Sequence, residues 1–470
     1  MATAVYAQNS EWFYATTDVE SAQMLKSNFP DGIQILDTSN SVSAVYMSHE
    51  TAAELRNNGN LHGPGYIFRT DEQSALNSIY TVNESNLDVL DFTIDQDDYV
   101  NSLLGQVNEQ NIGNTILALE NYGTRYHTKS SGVQASHDIK SWWQAMVDDA
   151  ERSDITVQAF NHSFTDQISV ILTIPGSTYP DEYVIIGGHL DSGDYWIQNN
   201  APGADDNASG IATLTETLRI LLENDFRPQR TVQFMGYAAE EVGLYGSADI
   251  AQFYSGSGID VKSVVQFDMT NYNGSVFDIA IMTDAAYTSS ILNLYLIDLL
   301  EHYNSSGEHK INYGFSACGY ACSDHASWTD NGYEGSFTFE AAMGEDNPFI
   351  HTPNDTYANM GNTAVHAVKF VKLGLEYIVE TAKTDMMGVS DIAERNLLIA
   401  VNNNQLIYEL GTASDSNSLL IYDANGRIII QKTGLNAKGS IPLHKIGKGY
   451  YIALFKDKDN QVYTKKFIVK

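Results

Sequence analysis

No run of about 18 apolar residues occurs anywhere in these 470 positions, so no segment is long enough to cross a bilayer as a helix. Basic residues are scarce: 26 lysines and arginines face 59 aspartates and glutamates, a formal net charge of −33. A surface that negative repels phosphate backbones and anionic lipid, which argues against nucleic acid as a partner. It attracts metal ions and protonated amines, although a soluble, exported surface is reason enough for such a charge. Cysteine is nearly absent. Only Cys318 and Cys322 occur, with Gly319, Tyr320 and Ala321 between them. A bridge across so small a loop removes little chain entropy, so its value would be local shape, and it implies an oxidising compartment. Two buried free thiols are the other reading. Two thiols alone are too few for structural zinc, which takes four ligands. The start, Met-Ala-Thr-Ala, lacks a basic stretch leading into an apolar one, so no signal peptide is expected in this chain; export signals are routinely removed. There is no internal repeat.

What is present suffices for a large core. Hydrophobic residues make up 43% of a chain too long for one compact domain. Three zones are expected. Residues 1–87 alternate strand-like runs (Glu11 to Thr16, Ile33 to Leu36, Val42 to Met47) with helix-like ones (Asp18 to Ser27, His49 to Asn57), a small α+β unit. Asn83 to Asp98 is rich in Asn, Ser and Asp and reads as a linker or cleavable joint. Residues 88–385 alternate apolar strands (Tyr183 to Gly188, Thr231 to Ala239, Val261 to Phe267) with amphipathic helices, such as that carrying Ile211, Leu214, Leu218, Leu221 and Leu222. This predicts an α/β fold with a mostly parallel central sheet covered by helices on both faces. Residues 386–470 carry 11 basic against 7 acidic residues, where the remainder carries 15 against 52. Six short strand-like runs there, with Asn425-Gly426 as a hairpin turn, predict a separate C-terminal β-sandwich.

In open α/β sheets, functional groups gather beyond the carboxyl ends of strands. Each apolar strand here runs straight into ionisable residues: His189 and Asp191, then Glu240 and Glu241, then Asp268. Asp205 and Asp206 directly precede the leucine-rich helix, and His351 stands in a later Pro-flanked loop. Singly, such residues are usually helix caps or solvated surface. Jointly, two histidines and several carboxylates are the donor set of a divalent metal pair, one carboxylate bridging to offset repulsion between the ions. Imidazole with carboxylate suits zinc better than calcium, and cobalt or manganese could substitute. His189 and Asp191 share a face if the strand continues, so Asp191 is placed to accept the free ring N–H of His189. Adjacent Glu240 and Glu241 diverge, giving a metal ligand and a general base for the attacking water from one dipeptide.

The ordered words Gly187-Gly188-His189-Leu190-Asp191-Ser192, Ala201 to Gly210, Ala238-Ala239-Glu240-Glu241-Val242-Gly243-Leu244, Asp268-Met269-Thr270-Asn271 and Ile350-His351-Thr352 closely resemble the M28 family of zinc aminopeptidases, in particular the secreted bacterial leucyl aminopeptidases. The loop Cys318 to His325 looks like that subgroup, with Cys318 and Cys322 bridged. The resemblance implies two zinc ions and peptide substrates with a free N-terminus. Asp205 would bridge the ions, His189 and Asp268 would complete one, and Glu241 and His351 the other. Glu240 would be the general base, Tyr320 a hydrogen-bond donor to the carbonyl oxygen, and Asp191 the orienter of His189. Asp206 would follow a cis Asp-Asp peptide bond. Met269, Met282, Phe337, Phe339, Met343 and Ile350 would form a soft apolar pocket suited to Leu, Met or Phe. Asp346 departs from the family, where an aromatic residue tends to stand, and an acid at the pocket rim could favour basic first residues.

The first zone resembles the propeptides of such enzymes and is expected to act as an intramolecular inhibitor. The last resembles the sorting domains of bacterial type IX secretion, in Ile421 to Arg427, Gly449-Tyr450-Tyr451 and Lys465-Lys466-Phe467; a generic accessory β domain is the alternative. A secreted monomer is expected. The rivals are a single-zinc glutaminyl-cyclase-like relative, a carboxypeptidase, and a catalytically silent binding domain. A carboxypeptidase needs a cation for the substrate carboxylate, and no arginine stands near the motifs.

Overall fold

The computed structural model describes residues 12–39, 41–57, 62–80, 92–193 and 199–384. In the last zone it describes 397–402, 405–410, 418–423, 427–436, 438–443, 446–447, 449–456 and 462–469. The predicted turn at Asn425-Gly426 and most of the joint from Asn83 lie outside the described residues. The chain divides into two compact units, Met1–Asp385 and Met386–Lys470.

β-Branched and aromatic runs near the start form an antiparallel sheet of β1 (Trp12–Asp18), β2 (Ile33–Ser39), β3 (Val42–Ser48) and β4 (Ile67–Arg69), in the order β2-β3-β1-β4. Asp18 closes β1 and caps the helix Val19–Asn28, its carboxylate accepting the N–H of Ser21. This sheet is part of the first unit. Phe13, Tyr66 and Phe68 share a buried cluster with Ala238, Ala239 and Tyr245 of the following zone.

The large sheet holds eight strands: β5 (Thr156–Phe160), β6 (Ser169–Ile174), β7 (Tyr179–His189), β8 (Arg230–Tyr237), β9 (Asp260–Phe267), β10 (Ile279–Met282), β11 (Tyr313–Ser316) and β12 (Gly335–Phe339). Their order is β11-β10-β12-β9-β7-β8-β6-β5. The four central strands β12, β9, β7 and β8 are parallel, as the apolar runs predict, and antiparallel pairings enter toward both edges. Both faces are covered. Val184 and Ile186 of β7 pack with the helices Ala208–Glu223 and Ala367–Ala382, while Ile185 between them packs with Ile250, Tyr254 and Trp328 on the other side. Leu214, Leu218 and Leu221 of the helix Ala208–Glu223 are fully buried, each contributing roughly 1.5–3 kcal/mol. The layers place the carboxyl ends of β7, β8 and β9 side by side.

The second unit has two antiparallel sheets, one of Leu397–Asn402, Gln405–Leu410 and Lys438–Pro442, the other of Ser418–Asp423, Ile428–Thr433, Gly449–Lys456 and Val462–Val469. Leu406 and Ile441 from one and Leu419, Ile421 and Phe455 from the other share one core, a β-sandwich. The strand Lys438–Pro442 lacked a predicted counterpart, because its Lys-Gly-Ser start carries no apolar pattern.

Candidate metal centre

His189 is the last residue of β7, and Asp268 directly follows β9. Glu240 and Glu241 follow β8 by three and four positions, after a turn in which Ala239 takes a φ of 53°. Met269, just past Asp268, and His351 itself have the same φ. Such left-handed residues cost about 1–3 kcal/mol each and persist where surrounding packing over-determines them, as it does at functional sites.

Two groups of buried donors result. His189, Asp206 and Asp268 present ligand atoms all within 4.8 Å of one another, and so do Asp206, Glu241 and His351. Asp206 belongs to both. Its Oδ1 lies 3.0 Å from Nε2 of His189 and its Oδ2 3.0 Å from Nε2 of His351. Nε2 of His351 is also 3.1 Å from Glu241 Oε2, and Nε2 of His189 is 3.3 Å from Asp268 Oδ1.

The shared carboxylate is therefore Asp206, and the expectation for Asp205 is corrected. Asp205 points the other way: its Oδ1 accepts the N–H of Asn271 and its Oδ2 the side-chain N–H of Asn347, both at 3.1 Å. Burial pushes its carboxyl up to about 6, whereas Asp206, equally buried, is held well below the carboxylate range by His189 and His351. The cis peptide bond likewise lies one residue later than expected, at Asp206–Asn207. Nothing in two adjacent aspartates distinguishes them until their backbone directions are known.

Asp191 stands 3.4 Å from Nδ1 of His189 through Oδ1, and its two oxygens accept the N–H groups of Glu240 and Glu241. One carboxylate thus ties the ends of β7 and β8. Glu240 is 2% exposed, and its carboxyl is driven well up by burial and by repulsion from Asp324, Asp268 and Glu241, against the pull of His189.

The donor set fits a metal pair. Burial opposes charge on both imidazoles, yet Asp268 and Glu240 raise His189, and Glu241 and Asp206 raise His351, well above the ordinary histidine value. Carboxylates that force protons onto their own imidazole partners demand positive charge. Divalent cations held by the two donor groups would satisfy that demand with the rings neutral.

Beside the centre, Met269, Met282, Phe337 and Phe339 pack with Tyr320 and Cys322, flanked by the half-buried Met343 and Ile350. Cys318 and Cys322 are disulfide-bonded, and the N–H groups of Cys318 and Gly319 both donate to Asp284. Asp346 lies outside this apolar cluster, half-buried, its Oδ1 accepting the N–H of Gly344.

Sequence reasoning missed four supporting residues. Arg125, 1% exposed, donates to the carbonyl oxygens of Leu190, Pro202 and Gly203, joining the His189 loop to the Asp206 loop. Asp355 accepts the N–H groups of both Asp205 and Asp206. Ser323 donates to Asp268 Oδ2 at 2.7 Å. His62, from the first zone, brings Nε2 to 3.2 Å from the same oxygen. Asp355, four residues beyond His351, was within reach of motif reading, as was His62 beside Gly63-Pro64-Gly65. Arg125 carries no motif.

Residues 169–375 match the family model described as Peptidase family M28, and residues 397–470 the model described as a secretion system C-terminal sorting domain. A probable aminopeptidase of Saccharomyces cerevisiae is 33% identical over 295 residues, spanning 61% of this chain and 76% of that protein. Leucine aminopeptidase 1 of Paracoccidioides brasiliensis (strain Pb03) is 34% identical over 293 residues, 59% of this chain and 72% of the relative. Among solved structures, LapB from Legionella pneumophila is similar with a TM-score of 0.68 at 27% identity, covering 80% of this chain and all of LapB. The site words, the fold that presents them and these likenesses agree: the chain belongs to peptidase family M28, hydrolases acting on peptide bonds.

Proposed function

We propose that this protein is a secreted, dizinc aminopeptidase that removes N-terminal, preferentially hydrophobic, residues from peptides. The single observation that carries the reading is the pair of buried donor groups sharing Asp206. His189 and Asp268 would hold one zinc, Glu241 and His351 the other, and Asp206 both. When bound, the pair supplies Lewis acidity to a carbonyl oxygen and acidifies water.

The protein's own residues do the rest. Glu240 takes the proton of the attacking water and returns it to the leaving amine. Its backbone N–H is fixed by Asp191, so its position is set by the same group that orients His189. Tyr320, 7% exposed at the edge of the apolar cluster, donates to the carbonyl oxygen as charge develops there. Met269, Met282, Phe337, Phe339, Met343 and Ile350 receive the first side chain. An intact donor set and a buried Glu240 are more than a silent binding domain needs. The match to a sorting domain supports export, and the first zone serves as an intramolecular inhibitor.

The test is metal content together with turnover. About two zinc ions per chain, with hydrolysis of a leucine anilide that Glu240→Gln lowers by about 10²–10⁴, are expected. Full zinc loading with no turnover of any aminoacyl anilide would favour the silent domain.

A further inference from the structure

The aminopeptidase reading leaves one contact unexplained, the seating of His62 beside the metal centre. The segment from His62 passes the carboxyl ends of the central strands and then enters the N-terminal sheet as β4, Ile67–Arg69. It is pinned at intervals. The hydroxyl of Tyr66 donates to the Val242 carbonyl at 2.9 Å, and the N–H of Phe68 donates to that of Gly243 at 2.9 Å, just past Glu240 and Glu241. Arg69 donates to Asp330 at 2.7 Å.

At its head, His62 is 2% exposed although it belongs to no helix or strand. Its ring lies nearly parallel to Phe337, 13° between planes and 6.0 Å between centroids, and 4.9 Å from the ring of Phe339. Both phenylalanines belong to the apolar cluster beside the centre. Nε2 approaches Asp268, and Nδ1 is buried without a hydrogen-bond partner. A histidine retained only for packing would have both nitrogens satisfied. Gly63 follows so closely on the disulfide loop that a Cβ there would fall 2.2 Å from the carbonyl oxygen of Cys322. Only a residue with no side chain lets the backbone pass at that distance.

We propose that His62 is a built-in occupant of the first-residue pocket: its imidazole lies where a substrate's first side chain would go, and the intact chain is closed until the strap of residues 62–66 lifts. The inference rests on the aminopeptidase reading and names the device within the first zone. The apolar faces of the ring meet the phenylalanines and its polar edge meets Asp268, the contacts an incoming amino-terminal residue would need. Because the ring is poorly satisfied, the strap is held mainly at Tyr66 and by β4 behind it, itself fixed through Phe68 and Arg69, so it can be opened at its head without releasing the sheet.

The test uses the full-length, zinc-loaded chain with two substitutions. His62→Ala empties the pocket. Gly63→Val keeps the imidazole on the chain but forces the backbone off Cys322, so that the ring is drawn out of the pocket. Hydrolysis of leucine and phenylalanine anilides, calorimetric binding of leucine hydroxamate, and the rate of zinc extraction by a chelator are measured for each. Both variants are expected to raise kcat/KM, hydroxamate affinity and extraction rate by about tenfold or more, the gain when a state populated at one part in ten becomes dominant. Stronger hydroxamate binding in both variants with no hydrolysis in any form keeps the plug and sinks the peptidase reading. Hydrolysis and hydroxamate binding by the unaltered chain equal to those of both variants keep the peptidase and overturn the plug.

Discussion

Asp355 holds the peptide that carries the shared ligand: its Oδ2 accepts the N–H of Asp206 at 3.0 Å, while its Oδ1 accepts the N–H of Asp205 and the side chain of Asn347. Burial and repulsion from Asp205 drive this carboxyl well up, against the pull of the two backbone N–H groups that it accepts. Replacing Asp355 by Asn removes acceptor capacity while keeping shape. Outer groups of this kind change metal affinity by about 10–100-fold when lost. Asp355→Asn is expected to weaken zinc binding within that range, measured by competition with a chromogenic chelator, with the far-UV circular dichroism unchanged.

The two neighbouring aspartates separate cleanly by mutation. Asp206→Asn removes the negative charge and replaces one of the two oxygens that face the histidines by an amide nitrogen, so the shared ligand is lost and both ions are expected to bind poorly. Asp205→Asn alters a carboxyl whose partners are Asn271 and Asn347, and zinc content should stay near that of the unaltered chain. Equal zinc loss in both variants would sink the assignment of Asp206 as the shared ligand.

These residues also mark how far the sequence could be read. The strand ends were legible because β7, β8 and β9 are buried on both faces and read as continuous apolar runs that stop at His189, Glu240 and Asp268. The bridging position was not. Side-chain direction at Asp205-Asp206 depends on the backbone leading into the helix Ala208–Glu223, which no periodicity reports. Arg125 was hidden for a related reason. Three of its carbonyl partners are 65 and more positions away, and carbonyls leave no trace in a sequence. In the second unit, Lys438–Pro442 was missed because a strand with one buried residue has too little pattern to see.

Arg125 makes a prediction of its own. Its guanidinium is buried and satisfies four carbonyls, those of Leu119, Leu190, Pro202 and Gly203. An unsatisfied buried acceptor costs about 1–3 kcal/mol. Arg125→Met fills the volume but satisfies none of them, so a loss above about 3 kcal/mol is expected by urea titration. Arg125→Lys, which keeps the charge but supplies one point donor where the fork supplied several, should recover only part of it. Zinc content of the still-folded fraction should fall too, since the arginine joins the loops that carry His189 and Asp206.

Glu240 is expected to separate binding from chemistry. Its carboxyl belongs to neither donor group, and its backbone N–H rather than its side chain meets Asp191. Glu240→Gln should keep about two zinc ions and near-native thermal stability while kcat falls by about 10²–10⁴. A fall confined to KM would remove it as the base and make it a substrate-binding group.

Metal removal should cost stability as well as activity, because carboxylates and imidazoles converge on a buried point. Zinc at a thousandfold excess over its dissociation constant stabilises the folded chain by about 4 kcal/mol per site. Chelation should therefore lower Tm, and re-addition of zinc restore it. An unchanged Tm, in a protein shown to contain zinc, would mean that the donor groups are held without the ions.

Asp346 tests where specificity comes from. The pocket is apolar, but Asp346 acts electrostatically on the His62 ring that fills it, so a cationic side chain in the same place would be acted on likewise. A partly exposed ion pair contributes up to about 1 kcal/mol, a factor of about five in rate ratio. In the His62→Ala background, where the pocket is open, Asp346→Tyr should lower the ratio of kcat/KM for lysine anilide over leucine anilide by about that factor. It should leave leucine turnover within about twofold, since Met269, Phe337 and Phe339 still surround the apolar side chain. A ratio that does not move would place the charge of Asp346 outside the pocket's reach and leave the apolar wall alone to choose the first residue.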